Sequence, residues 1–221
     1  MSHVARPKKE RDGKPVLTRE SIVATALAMA DDHGAEPLSM RKLAAEMGVG
    51  AMSIYHYVAD RDALMEALAD EVAGEVDVEL PDGPWVDAAR QLAVSTHEAL
   101  IRHPWSIPLW IDTWPGPNRL ALMETLLEVL AGADLPADIA DLGFHALTNH
   151  IQGFARQRVA YGQSPTEGEA MQAKMEATLA SGQYPHIVEH ARYHQEGHGT
   201  TDEFTFVLDL ILDGLARSTQ R

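Results

Sequence analysis

Residues 38–64 read LSMRKLAAEMGVGAMSIYHYVADRDAL. The stretch predicts two short helices joined by a glycine turn, with a third helix opening directly after it. Ala44 is small enough for two crossing helices to touch, and Gly48 supplies a turn residue that tolerates positive φ. Ile54 is an apolar anchor under the second helix. Small residue, glycine and anchor in that order make a helix-turn-helix, a unit that lays its second helix in a DNA major groove. The alternative is an ordinary helical hairpin in a core. Polar and aromatic residues at the outward end of the second helix favour the DNA-binding reading.

Upstream, Thr18 is a natural N-cap for a helix to about Asp32, with Ile22, Ala26, Met29 and Ala30 on its inner face and Gly34 past its end. Ser39 caps Met40–Met47, the short helix spans Ala51–Val58, and Asp60 caps a longer one whose face is Leu64, Leu68 and Val72. Pro81-Asp82-Gly83-Pro84 breaks the chain. The division expected is therefore a disordered basic tail (1–16), a helix-turn-helix domain (17–65), a connecting helix (66–80) and a body (85–221). In the body, helical patterns run from Trp85 to about Arg102, over Pro104–Asp112, Asn118–Leu130, Pro136 to about Gly162, Glu167–Ala180 and Glu203–Arg217, with Ser181–Asp202 read as a loop containing at most a helical turn. No convincing period-2 strand appears, so the fold class is all-α.

A formal net charge of −15 is unexpected in a DNA binder until it is divided along the chain. Residues 1–65 hold nine Lys/Arg and nine Asp/Glu, and all of the −15 falls in residues 66–221. The first nineteen residues carry six basic and two acidic side chains, a local +4. A basic end meets phosphate while an acidic body is repelled by it. The absence of cysteine excludes disulfides and thiolate chemistry. With no apolar run of spanning length and no signal peptide, the expectation is a cytoplasmic protein with no membrane association. No GxSxG, P-loop, dinucleotide-glycine or HExxH pattern occurs, so the chain is not expected to be an enzyme and no cofactor is expected.

The last helix is apolar on two faces, Phe204/Leu208/Ile211/Leu215 and Phe206/Leu210/Gly214, which suggests a partner over the second. Trp105, Trp110 and Trp114 cluster beside a segment broken by proline and glycine. Phe144, His145, Asn149 and Phe154 follow on the long helix, and His97 and His103 are further candidates for the same place. The seven are expected to line one cavity suited to a mostly apolar or aromatic small molecule; plain core packing is the alternative. His186, His190, His194 and His198 recur every fourth residue, a spacing that on one helix face suits a metal. Gly197 and Gly199 argue against helix there, so a solvated loop is favoured and no metal site is expected. A helical metal-binding protein or enzyme using that His186–His198 cluster is the rival reading.

The chain resembles the tetracycline-repressor (TetR) family of one-component transcriptional regulators. Residues 18–68, TRESIVATALAMADDHGAEPLSMRKLAAEMGVGAMSIYHYVADRDALMEAL, fit the family's three-helix DNA-binding head, and HPWSIPLW, PGPNRLALMETLLEVL and FTFVLDLILDGL resemble the body of the subgroup that includes the tetracycline repressor. The resemblance implies a homodimer on a palindromic double-stranded operator, released by a small-molecule effector. It implies a four-helix dimer interface from the Pro136–Gly162 and Glu203–Arg217 helices of both subunits. By position, Arg41 would contact phosphate or base, Ala51, Met52 and Ser53 would open the recognition helix, and Tyr55 and Tyr57 would meet the backbone. Arg61 would meet a phosphate, and His56 would share in specificity. Ala51 and Met52 are apolar where the tetracycline repressor has a hydrogen-bonding side chain and a proline, so they suit thymine methyls better than bidentate readout. That repressor's magnesium–drug ligands do not align here, and no metal is carried over.

Overall fold

The computed structural model describes residues 17–162, 173, 174, 176–195 and 202–218, and the side chains of these except 160–162, 194 and 195. The basic tail lies outside the described residues. What is described is helical, with no strand among the described residues. The helices are α1 (Arg19–His33), α2 (Met40–Glu46), α3 (Ala51–Tyr55), α4 (Arg61–Ala73), α5 (Trp85–Arg102), α6 (Ser106–Asp112), α7 (Pro117–Ala131), α8 (Ala137–Gly162), α9 (Pro185–Gln195) and α10 (Glu203–Ser218).

The chain forms two compact units: Met1–Val76 with Arg102–Thr125, and Asp77–Ile101 with Leu126–Arg221. The segment after α5 is thus grouped with the first unit, where the sequence reading assigned it to the body. In the first unit, Thr18 and Ser21 exchange a capping box at the start of α1, with Ser21 N donating to Thr18 Oγ1 at 3.1 Å. Ser39 caps α2 and Asp60 caps α4 through their side-chain oxygens. Ile22, Ala26, Leu43, Ile54, Leu64 and Leu68 close a shared core. Each fully buried aliphatic side chain contributes roughly 1.5–3 kcal/mol. α4 also packs against α6.

In the second unit, α8 and α10 pack together. Phe204, Leu208 and Leu212 form the buried stripe of α10. Leu212 therefore takes the place expected of Ile211 and Leu215, which are half-buried. A step of four overshoots the 3.6-residue turn by about 40°, so the buried stripe winds around α10 and away from the 4-3-4 face expected. Phe206 and Leu210 are each 55% exposed.

One expected loop is a helix. α9 occupies Pro185–Gln195, inside the Ser181–Asp202 connection. Gly182 at φ +67° ends the preceding segment, and Pro185 stands at the first helical position, where its missing N–H is harmless. The glycines at 197 and 199 bear only on the stretch beyond.

Candidate nucleic-acid interface

The turn between α2 and α3 follows from three residues. Gly48 adopts φ +67°, a conformation disfavoured for any residue with a Cβ. Ala44 is 3% exposed and Ile54 fully buried, so the two helices close on a small residue and an anchor. Gly50 begins α3 with no side-chain cap, and Ser53 N donates to the Gly50 carbonyl at 2.9 Å. With Ile54 fixed inward, Met52, Tyr55 and the turn after them face outward. Met52 is 72% exposed, Tyr55 44% and Tyr57 45%. Arg41 and His56 are exposed as well, and Ser53 is half-buried. Helix α3 ends at Tyr55, earlier than the expected Val58, so His56 and Tyr57 occupy the turn behind it.

Two of the eight residues assigned to DNA carry structural work. Ala51 is half-buried and packs on the head's core. Arg61 extends its guanidinium back across the head: Nε donates to the Leu38 carbonyl at 3.1 Å, and Nη2 to those of Ala35 at 3.1 Å and Glu36 at 3.4 Å. The phosphate contact expected of Arg61 stands beside this structural role as an expectation. Its donors reach carbonyls of the loop between α1 and α2, of which Ala35 also accepts from Leu38 N at 3.2 Å. No local signal reveals this, because the partners lie 23 to 26 residues away.

The residues expected to line an effector cavity divide between the units. Trp105, Trp110 and Trp114 belong to the first, and Phe144, His145, Asn149 and Phe154 to the second. Trp105 packs on the head's core and donates its indole N–H to Asp31 at 2.7 Å. Trp110 is buried with the Arg119 guanidinium 5.5 Å from its ring centre. Trp114 is 78% exposed. His145 and Asn149 are exposed on α8, and Phe144 is buried with its ring edge-on to His145. His103 lies in the first unit and His97 in the second.

Phe154 instead joins an aromatic group that sequence reasoning missed. His97 stacks on Phe204 at 4.0 Å between ring centres, and His150 stacks on the same ring at 4.8 Å while its Nε2 reaches the Phe204 carbonyl at 3.0 Å. Phe154 meets Phe204 edge-on at 5.7 Å. Among the described residues, the buried His97 Nε2 atom has no hydrogen-bond partner. Burial holds the His97 imidazole below the usual histidine range; Arg158 and His150 add to the effect, and Asp202 opposes it. The native state thus prefers the neutral ring, and the unfolded chain takes the proton more readily. Stability from this group is complete above about pH 6.5 and is expected to fall as the pH drops through that value. A His97→Phe variant, which keeps a ring against Phe204, should flatten that acid limb in urea-midpoint measurements. An unchanged limb would remove His97 as its cause.

Among the described residues, no group of three or more histidine, aspartate or glutamate side chains is placed to hold a metal ion. His186 and His190 are exposed on α9; the side chain of His194 and all of His198 lie outside the described residues. No described helix is long and apolar enough to cross a membrane.

Comparison with known proteins bears on both parts of the chain. The family model "Bacterial regulatory proteins, tetR family" matches residues 22–68, and "Tetracyclin repressor-like, C-terminal domain" matches residues 79–219. The HTH-type transcriptional repressor DrrR1 of Streptomyces coeruleorubidus is 33% identical over 218 residues, covering 93% of this chain and 79% of that protein. ActR of Streptomyces coelicolor in complex with actinorhodin superposes with a TM-score of 0.74 at 28% identity, covering 93% of this chain and 99% of that one. The same protein in complex with (S)-DNPA gives a TM-score of 0.71 at 28% identity, covering 92% and 98%.

Proposed function

Because the chain belongs to the TetR family of bacterial regulators, we propose that it represses transcription as a homodimer, held on a palindromic operator through α2 and α3 and released by a small aromatic effector. It is a ligand-responsive DNA-binding regulator, and its work is binding, with no catalytic step. The observation that carries the DNA reading is the outward rank of Arg41, Met52, Tyr55, His56 and Tyr57 around a buried Ala44–Ile54 contact. The basic tail adds charge that an adjacent groove attracts. In the dimer the two α3 helices stand about one DNA turn apart, roughly 34–36 Å. Effector binding favours a spacing that no longer fits, and the α4–α6 contact supports a route by which the shift reaches the head.

The effector class rests on two supports. ActR, a structural neighbour, has been solved with actinorhodin and with (S)-DNPA. In this chain, the His97 Nε2 atom, unpartnered among the described residues, lies beside the rings of Phe154 and Phe204, a setting that suits an aromatic molecule with one polar atom to offer. Phe144, His145 and Asn149 remain assigned to the effector as neighbours on α8.

Selection of bound duplexes from random oligonucleotides tests the reading; a palindrome is expected, and no enrichment would refute it. On the selected operator, Arg41→Ala should lower the salt slope by about one unit. Tyr55→Ala should weaken all duplexes alike. Arg61→Ala should instead lower the melting temperature of the free protein, since it strips partners from three carbonyls. A full-sized slope change with unaltered melting would leave Arg61 with the phosphate role alone.

A further inference from the structure

One buried histidine in the first unit is bound on both sides by carboxylates from two different helices. His103 is 8% exposed. Its Nδ1 lies 2.6 Å from Asp31 Oδ1, near the end of α1, and its Nε2 lies 3.1 and 3.2 Å from the Glu75 oxygens, just past the end of α4. The neighbours of His103 grip the same two carboxylates. Arg102 donates to Glu75 through Nε at 3.3 Å and Nη2 at 3.0 Å, and the Trp105 indole donates to Asp31 at 2.7 Å. Thus the α5–α6 junction holds the C-terminal ends of both α1 and α4.

Hydrogen-bond inventory decides what state this arrangement needs. A neutral imidazole has one N–H and one lone pair, whereas an imidazolium has two N–H groups. Only the imidazolium can donate to Asp31 and Glu75 together. With Arg102 it also balances the two carboxylates, two positive charges against two negative. Removing the proton turns one ring nitrogen into an acceptor aimed at a carboxylate, so one side must open. The charged groups facing the ring are Asp31 from α1, Glu75 from the end of α4 and Arg102 from α5.

The consequence concerns the head. Helix α4 is its covalent exit and packs on α1 through the shared apolar core. Apolar contacts allow small slides and rotations, whereas the directed bonds from His103 to Asp31 and Glu75 fix the ends of the two helices against each other. An operator accepts only one placement of the recognition helices, so a head already held there binds with less ordering cost. We propose that His103 is a positioning residue for operator binding, a proton-dependent clasp between α1 and α4 that holds the DNA-reading helices while charged and loosens them when it loses its proton. The proposal rests on the operator-binding reading above.

The test has one arm without DNA and one with it. Ring-nitrogen NMR of the full-length protein across the histidine titration range should show both His103 nitrogens protonated at its acid end, and Trp105 fluorescence should change as the proton leaves. Operator affinity of the wild type should fall at least about five-fold over the same change, the scale of a modest coupling between sites. His103→Gln should bind at the weaker level at every pH, and Glu75→Gln, which keeps the histidine, should show a reduced pH response. A neutral ring with one N–H throughout, or the same pH response in the wild type and His103→Gln, would overturn the clasp while leaving operator binding intact. Should His103→Gln fail to fold, Glu75→Gln and the wild-type spectra decide the matter. Failure to select any operator would instead strike the parent reading, and a ring neutral throughout would still refute the clasp.

Discussion

Leu210→Asp is expected to convert the protein to monomers and to abolish operator binding. Helix α10 uses Phe204, Leu208 and Leu212 for its own unit, which leaves Phe206 and Leu210 each 55% exposed on the opposite side. On α8, Leu142 is 60% exposed. A Cβ added at Gly153 or Gly214 would meet nothing within 4 Å, so the subunit leaves room there for another backbone to approach. Water does not favour such apolar side chains left open, and a second copy offers matching ones. A carboxylate at position 210 would be buried without a partner in each half of the interface. The cost is roughly 4 kcal/mol or more, about a thousandfold in association. Sedimentation should find wild-type dimers at micromolar concentration and monomeric Leu210→Asp. A stable wild-type monomer would remove the two-fold symmetry on which the palindrome rests.

Gly116→Ala should be among the most destabilising single changes in the first unit. A Cβ at position 116 would stand 2.7 Å from both carboxylate oxygens of Asp70. That carboxylate is 9% exposed and holds the start of α7, accepting from Asn118 N at 3.2 Å and Arg119 N at 2.9 Å. The Asn118 amide returns a bond to the Asp70 carbonyl at 3.1 Å. Arg119, also buried, donates to Thr113 Oγ1 at 2.8 Å and to the Trp110 carbonyl, tying α7 to the end of α6. Pushing the carboxylate away uncaps two N–H groups and separates Asp70 from Arg119. The loss is about 3 kcal/mol, or roughly 10 °C in melting temperature. Calorimetry on Gly116→Ala checks the sum; unchanged melting would mean that α4 and α7 separate easily and that Asp70 is no clamp.

These two cases differ in how far the sequence announces them. The exposed face of α10 is legible, because Phe206 and Leu210 recur at helical spacing and no stripe on the other side needs them. Asp70 is not legible. It sits among Leu68, Ala69 and Val72 as one more helix carboxylate, and its partners lie 48 and 49 residues further on. The same separation hides the roles of Arg61, which reads as a phosphate contact at a helix start, and of His103, which reads as a further candidate for the effector cavity.

The sequence alone determined the helix-turn-helix, the caps at Thr18, Ser39 and Asp60, the all-helical class and the two-faced last helix. Each depends on residues within a turn or two of one another, where backbone geometry leaves few choices. Helix α9 stands apart: the sequence reading gives a loop over Ser181–Asp202, and the structure places a helix at Pro185–Gln195. Tertiary structure alone decided which polar side chains serve the fold and which stay outward. It committed Trp105 and His103 to carboxylates and Arg61 to carbonyls of the first unit, and brought Phe154 to Phe204. Those outcomes depend on distances between segments far apart in the chain, and a side chain's spacing along its own helix holds no information about them.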